Sequence, residues 1–135
     1  MSERAPIFLA EDSPADVYLF REALKAHGVD NELFVFGDGE AAMSFLTTAE
    51  KAGPIPQLFV LDLNLPKVDG RAILKFLRHS QRYAQSLVVI LTSSSNAADR
   101  EESIRSGANC YIQKAQNIND FLDIGRRIKE MLRTG

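Results

Sequence analysis

Several apolar runs in the sequence stop on a polar side chain, as in the stretch LDLNLP, where Asp62 follows Leu58 to Leu61. The side chains at or just beyond these run ends are Glu11, Asp12, Asp62, Thr92 and Lys114. If the run ends meet, three carboxylates, a hydroxyl and an ammonium share one site. Carboxylates brought together repel one another and have raised pKa values unless a counter-charge is present. Lys114 offers one positive charge, and a divalent cation would offer two.

Such a site suits a hard cation and a phosphoryl group. Mg²⁺ binds through one or two carboxylates, keeps several waters and readily binds phosphate oxygens. A remaining carboxylate can attack phosphorus and form an aspartyl phosphate. The metal, Thr92 and Lys114 would then neutralise the phosphoryl oxygens. A lone Asp62 ahead of Pro66 would be interpreted as a turn residue, so the full set of side chains carries this hypothesis.

These side chains meet only if the apolar runs are parallel strands of one sheet. Five short runs alternate with five amphipathic stretches, and most of the runs are continuous, as in strands covered on both faces. The runs are residues 7–10, 33–36, 58–61, 87–91 and 110–112. The alternation predicts an α/β domain with right-handed crossovers. Five units suit a doubly wound, flavodoxin-like (βα)5 sheet of strand order 2-1-3-4-5, which binds ligands beyond the carboxyl ends of its strands.

Helix start and stop signals support the same division. Polar residues at candidate N-terminal caps precede each amphipathic stretch, namely Ser13 (with Pro14 after it), Asp38 or Gly39, Asp69, Asn96 and Asn117. Gly28 and Gly107 lie where C-terminal caps belong. The second helix is expected to place Ala42, Phe45, Leu46 and Ala49 on one face.

The bulk properties favour one domain over residues 1–135, with no linker and no output domain. The net charge of −2 and the pI of about 5.7 argue against non-specific nucleic-acid binding, which needs a basic face. No apolar run approaches the ~20 residues of a membrane span. The single cysteine, Cys110, excludes an intramolecular disulfide and fits a cytoplasmic protein.

The motifs resemble the receiver domain of bacterial two-component response regulators, over essentially the whole chain. That family has an acidic pair after the first strand, a phosphoacceptor aspartate after the third, a Thr or Ser after the fourth, and an aromatic residue three positions before a lysine on the fifth. The matching residues are Glu11, Asp12, Asp62, Thr92, Tyr111 and Lys114. The resemblance implies Mg²⁺ held by Asp12, Asp62 and the backbone carbonyl of Asn64, with Glu11 acting through water.

The resemblance also implies a switch rather than a turnover enzyme. A sensor histidine kinase would donate the phosphoryl group to Asp62, and the domain would promote its own phosphorylation and dephosphorylation. Lys114 would bond the phosphoryl group, Thr92 would move toward it, and Tyr111 would swing inward. The stretches EDSPADVYLFREALK and LDLNLPKVDG are similar to the small stand-alone receivers that serve bacterial phytochromes.

Two positions depart from the family pattern. Ala115 follows Lys114 where the family usually has proline joined by a cis bond. A cis Lys-Ala bond would cost about 3–4 kcal/mol, against roughly 0.5–1 kcal/mol before proline. Either tertiary contacts hold that strain, or the bond is trans and Lys114 is aimed differently. The acidic pair is also Glu-Asp where Asp-Asp is common, which keeps the charge.

Two other functions compete with the switch. A Mg²⁺-dependent phosphatase of the haloacid dehalogenase type would need an aspartate two residues after its nucleophile as general acid, and that position is Asn64. A degenerate receiver would only bind partners; the intact acidic set argues against it, and Ala115 leaves it open.

The sequences of the last two predicted helices indicate how a signal would leave the domain. The fourth has few apolar residues beyond Ile104, so it should be marginally stable and able to shift. The fifth has apolar residues on more than one face: Ile118, Phe121, Leu122, Ile124, Ile128, Met131 and Leu132. We expect a homodimer through the fourth helix, fifth strand and fifth helix, and a downstream protein or phosphotransfer protein as the next partner.

Overall fold

The computed structural model describes residues 4–48 and 53–134, which form five strands and five helices in strict alternation. The strands are β1 (Ile7–Ala10), β2 (Leu33–Phe36), β3 (Leu58–Leu61), β4 (Leu87–Thr92) and β5 (Cys110–Gln113). The helices are α1 (Pro14–Ala26), α2 (Gly39–Thr48), α3 (Gly70–His79), α4 (Ala97–Arg105) and α5 (Ile118–Thr134).

The five strands form one parallel sheet in the order β2-β1-β3-β4-β5, so the predicted topology is confirmed. The register decides what meets at its edge. Ala10 pairs with Leu61, so the next residues, Glu11 and Asp62, leave the sheet side by side. The Asp62 amide still donates to the Ala10 carbonyl at 3.0 Å.

The central strands are buried on both faces, which explains their continuous apolar sequence. Every residue of β1 and β3 is buried. One face packs against α2 and α3, and the other against α1 and α5, with side chains such as Leu46, Leu74, Phe20, Ile124 and Ile128. Burying each such side chain contributes about 1.5–3 kcal/mol of transfer free energy, so the two cores hold the strand ends in fixed positions.

The predicted caps form the helix ends. Ser13, Asp38, Asp69, Asn96 and Asn117 each accept a hydrogen bond from a backbone amide in the first turn of the helix that follows. The second helix begins at Gly39, which makes Asp38 its cap. Gly28 and Gly107 follow α1 and α4 with φ of 71° and 112°, the left-handed conformation typical of C-terminal caps. The expectation for Ala49 lies outside the described residues.

Helices α4 and α5 pack differently from each other. In α4 only Ser103 is buried, and Ile104 is 45% exposed, so its sparse apolar packing is confirmed. In α5 the apolar residues that the core leaves uncovered lie on the side of α1: Ile118 and Leu122 line a shallow groove with Tyr18 and Leu19. Among the described residues, no helix is long and apolar enough to cross a bilayer.

Candidate functional site

The carboxyl ends of β1 and β3 bring three carboxylates together, as the sequence predicted. One oxygen from each of Glu11, Asp12 and Asp62 lies within 4.8 Å of the other two. Glu11 and Asp62 are buried, whereas Asp12 is exposed. Hard carboxylate oxygens at this spacing, with one side open to solvent, are a donor set that fits a divalent cation with bound waters. Burial raises the pKa of Glu11, which Lys114 only partly offsets.

Lys114, from the end of β5, lies in the middle of these acids. Its Nζ is 2.7 Å from Glu11 Oε1 and 2.9 Å from both Asp62 Oδ2 and Asp16 Oδ2. Burial alone would lower the pKa of this ammonium, but the hydrogen bonds to Glu11, Asp62 and Asp16 outweigh it and raise the pKa of Lys114. Lys114 is therefore a fixed positive charge beside Asp62.

The bond between Lys114 and Ala115 is trans, since the described residues contain no cis peptide bond. The Lys114 amide donates to the Thr92 carbonyl at 2.7 Å, which continues the β4–β5 ladder one residue past the strand. The bond is therefore trans, as one of the two alternatives held. The expectation that a trans bond aims Lys114 away from the site is wrong. The ammonium reaches Asp62 without proline at position 115.

Asp16 is the site residue that the sequence did not reveal. Its sequence position indicated only an acid in the first turn of α1, which it also is. The fold places that turn directly above the end of β1, so the Asp16 carboxylate points at Lys114. The available signal was its place in the first turn of the helix that directly follows the acidic pair.

Asp62 is positioned through its backbone by the loop between β3 and α3. The Gly70 amide donates to the Leu63 carbonyl at 2.9 Å. A Cβ at Gly70 would lie 2.0 Å from the Asp62 carbonyl oxygen, so only glycine allows this approach. The backbone amide of Asn64 donates to Asp62 Oδ1 at 3.2 Å, which places the Asn64 backbone beside the carboxylate. The Asn64 carbonyl as a metal ligand stays a prediction.

The two predicted switch residues lie behind the site. Thr92 is fully buried, and its Oγ1 accepts a long hydrogen bond of 3.5 Å from the Ser94 amide. Tyr111 is buried, its hydroxyl donates to the Ser94 carbonyl at 2.9 Å, and Arg100 lies 5.8 Å from its ring centroid. Tyr111 therefore adopts an inward position, fixed to the loop that follows Thr92.

A polar network that the sequence did not reveal joins this loop to α3 and α4. The Ser94 hydroxyl donates to Asp99 Oδ2 at 2.7 Å, and the Arg71 guanidinium donates to Asp99 Oδ1 at 2.8 Å. These two donors lower the pKa of Asp99. The network depends on the relative placement of two helices, which periodicity does not specify.

Comparison with known proteins shows which family the chain belongs to. The family model described as the response regulator receiver domain matches residues 7–125. This chain is a response regulator receiver domain. The receiver is 40% identical over 125 residues to "Response regulator Rcp1" of Synechocystis sp. (strain ATCC 27184 / PCC 6803 / Kazusa), covering 91% of this chain and 85% of the relative.

Solved structures agree with this assignment. The receiver superposes on the Mn²⁺-bound form of Rcp1 with a TM-score of 0.84 at 39% identity, covering 94% of this chain and 93% of that one. The phosphorylated cyanobacterial phytochrome response regulator RcpA gives a TM-score of 0.86 at 36% identity, covering 96% and 94%. The bacteriophytochrome response regulator AtBRR gives 0.76 at 33% identity, covering 98% and 94%.

Proposed function

We propose that this receiver is the phosphoryl-accepting switch of a two-component phosphorelay, with Asp62 as the phosphoacceptor. The observation that carries the proposal is Asp62 itself, a buried carboxylate with the Lys114 ammonium 2.9 Å from one oxygen and two further acids within metal-binding distance. The donor is a phosphohistidine of a sensor histidine kinase. The similarity to Rcp1, RcpA and AtBRR favours a phytochrome as that kinase.

In the proposed reaction an Asp62 carboxylate oxygen attacks the phosphorus atom. An O–P bond forms, the P–N bond to the donor histidine breaks, and the imidazole nitrogen keeps the electron pair and takes up a proton. Mg²⁺, held by Asp12, Asp62 and the Asn64 carbonyl, with Glu11 acting through water, would supply positive charge to the phosphoryl oxygens when bound. Lys114 would neutralise a further part of that charge from the side of β5.

Thr92 and Tyr111 would carry the change from the site to the surface. Thr92 Oγ1 holds its weak bond to the Ser94 amide at 3.5 Å, which makes the hydroxyl available to a phosphoryl oxygen. The same loop is fixed to Tyr111 through the Ser94 carbonyl. A shift of Thr92 toward the phosphoryl group would therefore be transmitted to Tyr111 and α4, the helix with the fewest buried apolar side chains.

The test is intact mass after incubation with acetyl phosphate and Mg²⁺. We expect one added phosphoryl group on the wild type, stable in acid and labile in base, and none on Asp62→Asn. Glu101→Gln, an exposed acid on α4, is the matched control and should be modified like the wild type. An unmodified wild type that also fails to bind Mg²⁺ and beryllofluoride would leave only the partner-binding function of a degenerate receiver.

The same sample separates the switch from a phosphatase. The position two residues after Asp62 is Asn64, which cannot act as a general acid toward a leaving group. We therefore expect no repeated turnover of a generic phosphoester substrate. Sustained release of product by the wild type, abolished in Asp62→Asn, would establish the phosphatase instead.

We further propose that phosphorylation favours a homodimer through α4, β5 and α5. This face carries Ile104, which is 45% exposed, beside the charged side chains of α4 and α5. Light scattering at high concentration should show a larger mass with Mg²⁺ and beryllofluoride than without them, and Ile104→Asp should reduce that difference. A monomer under both conditions would contradict the dimer while leaving phosphorylation untouched.

A further inference from the structure

Three carboxylate oxygens surround the Lys114 ammonium, and those of Asp16 and Asp62 accept hydrogen bonds from it. An ammonium carries three N–H groups, and the three oxygens lie 2.7 Å from it on Glu11 and 2.9 Å from it on Asp16 and on Asp62. A phosphoryl group on Asp62 would therefore compete with these carboxylates for the Lys114 ammonium.

The three acceptors differ in what happens to them when Asp62 is phosphorylated. One Asp62 carboxylate oxygen becomes the bridging oxygen of the acyl phosphate, and Glu11 belongs with Asp12 to the cluster that fits a cation. Asp16 is outside that cluster and comes from a different element, α1. Neither the proposed metal nor the phosphoryl group would engage the Asp16 carboxylate, so its contact with Lys114 would remain.

Asp16 also adds charge of the wrong sign for the phosphorylated state. Phosphorylation replaces the single charge of Asp62 with a phosphoryl group of nearly two negative charges. The Asp16 carboxylate, one ammonium away, repels that added charge and neutralises part of Lys114. Its side chain is 27% exposed, against 3% for Glu11 and 7% for Asp62, so it can be changed without opening the core.

We infer that Asp16 is a positioning residue that restrains Lys114 and thereby opposes the phosphorylated state. This inference rests on the proposed function and adds to it a residue that sets how strongly the site holds a phosphoryl group. The simpler role of Asp16, a first-turn acid that stabilises the N-terminus of α1, does not involve Lys114. The two roles predict different results when the charge is removed.

The decisive measurement is the affinity for beryllofluoride, a non-covalent phosphoryl mimic, with saturating Mg²⁺, followed by ¹⁹F NMR. Asp16→Asn keeps the shape of the side chain and removes its charge. We expect it to bind the mimic roughly three- to tenfold more tightly, the size expected for one unit charge a few ångströms away in partly solvated surroundings. Glu22→Gln makes the same charge change on α1, away from Lys114, and should bind like the wild type.

A second measurement tests the contact itself without metal or mimic. The ¹H–¹⁵N signal of the Lys114 ammonium should exchange with water more slowly in the wild type and in Glu22→Gln than in Asp16→Asn and Asp16→Ala. Loss of a first-turn acid alone would change the unfolding temperature of α1 variants but not this exchange rate. The beryllofluoride affinity is also measured on Asp16→Ala. The test therefore holds even if only one of the two Asp16 variants folds.

The outcomes separate this inference from the proposed function. Equal or weaker binding of beryllofluoride by the Asp16 variants, with a wild type that binds it, overturns the restraint and leaves the phosphoryl switch in place. A wild type that binds no beryllofluoride with Mg²⁺ overturns both. Tighter binding together with faster ammonium exchange establishes Asp16 as the restraint on Lys114.

Discussion

At the scale of single residues, the position of Asp62 depends on a glycine as much as on its ionic partners. The carboxylate is held from one side by Lys114 at 2.9 Å. From the other side, the backbone of Gly70 lies so close that an added Cβ would be 2.0 Å from the Asp62 carbonyl oxygen. The backbone must move to relieve such a contact, since neither partner atom belongs to a flexible side chain.

We therefore predict that Gly70→Ala impairs stability and phosphorylation together. Overpacking of a buried contact typically costs about 1–3 kcal/mol of stability. The displaced Asp62 should also accept the phosphoryl group of acetyl phosphate at least several-fold more slowly. Urea unfolding and the phosphorylation rate measure the two effects. Gly37→Ala is the control, because a Cβ there meets nothing within 4 Å and the backbone needs no left-handed conformation. Normal phosphorylation of Gly70→Ala would show that the loop absorbs the change.

The same scale shows where sequence reasoning stops. Glu11, Asp12, Asp62 and Lys114 were predicted together because each lies at a strand end, and strand ends of a parallel sheet share one edge. Asp16 and Ser94 were not, since their contacts depend on the rotation of α1 and on the path of a loop. Both features are set by tertiary packing rather than by spacing along the chain.

At the scale of elements, α4 is held by polar contacts where its neighbours are held by apolar ones. Arg71 on α3 and Ser94 both donate to Asp99 on α4, and only Ser103 of the helix is buried. Helices with few buried apolar contacts belong to the least stable part of a fold. The network is therefore expected to decide how readily α4 moves.

We predict that Asp99→Asn destabilises the protein at neutral pH and that the effect disappears in acid. The pKa of Asp99 is lowered by Ser94 and Arg71 from its ordinary value of 3.8. A carboxyl group with a lowered pKa in the folded state contributes stability above that ordinary value and loses it as the pH falls through its folded-state pKa. The difference in urea midpoint between wild type and Asp99→Asn should thus shrink below pH 3.8.

The control for this prediction is Asp123→Asn, because the pKa of Asp123 is lowered in the same direction by Arg126 within α5. It should show a similar pH trend but leave hydrogen exchange in α4 unchanged, whereas Asp99→Asn should accelerate it. An Asp99→Asn variant whose α4 amides remain as protected as the wild type would contradict the role of the network.

Element boundaries were the part of the fold that local sequence determined best. Caps at Ser13, Asp69 and Asn96 work through a side chain and an amide two or three residues away, so the sequence contains both partners. The sequence correctly predicted that α5 has more apolar residues than one buried face needs. It did not identify the helix that lies beside the remaining ones. Ile118 and Leu122 lie beside Tyr18 on α1, and periodicity along one helix does not reveal which helix it packs against.

At the scale of the whole molecule, the fold brings charges together that repel one another when no cation is bound. The order and register of β1, β3 and β5 place Glu11, Asp62 and Lys114 at one edge. Burial raises the pKa of Glu11, so its ionised form is less favourable there than in water. Apolar burial across two core layers stabilises the domain enough to tolerate this cost, and a bound cation would reduce it.

Mg²⁺ should consequently raise the unfolding temperature of the wild type. A ligand at about 100 times its dissociation constant stabilises the folded state by roughly 2.7 kcal/mol, which corresponds to a shift of several degrees for a domain of this size. Asp12→Asn should lose most of this shift, because Asp12 is the exposed member of the carboxylate cluster and supplies one of its oxygens. Without Mg²⁺ the same variant should be at least as stable as the wild type, since one repulsive charge is gone. Calorimetry with and without Mg²⁺ on wild type, Asp12→Asn and Glu101→Gln measures both effects, and an undiminished Mg²⁺ shift in Asp12→Asn would place the cation elsewhere.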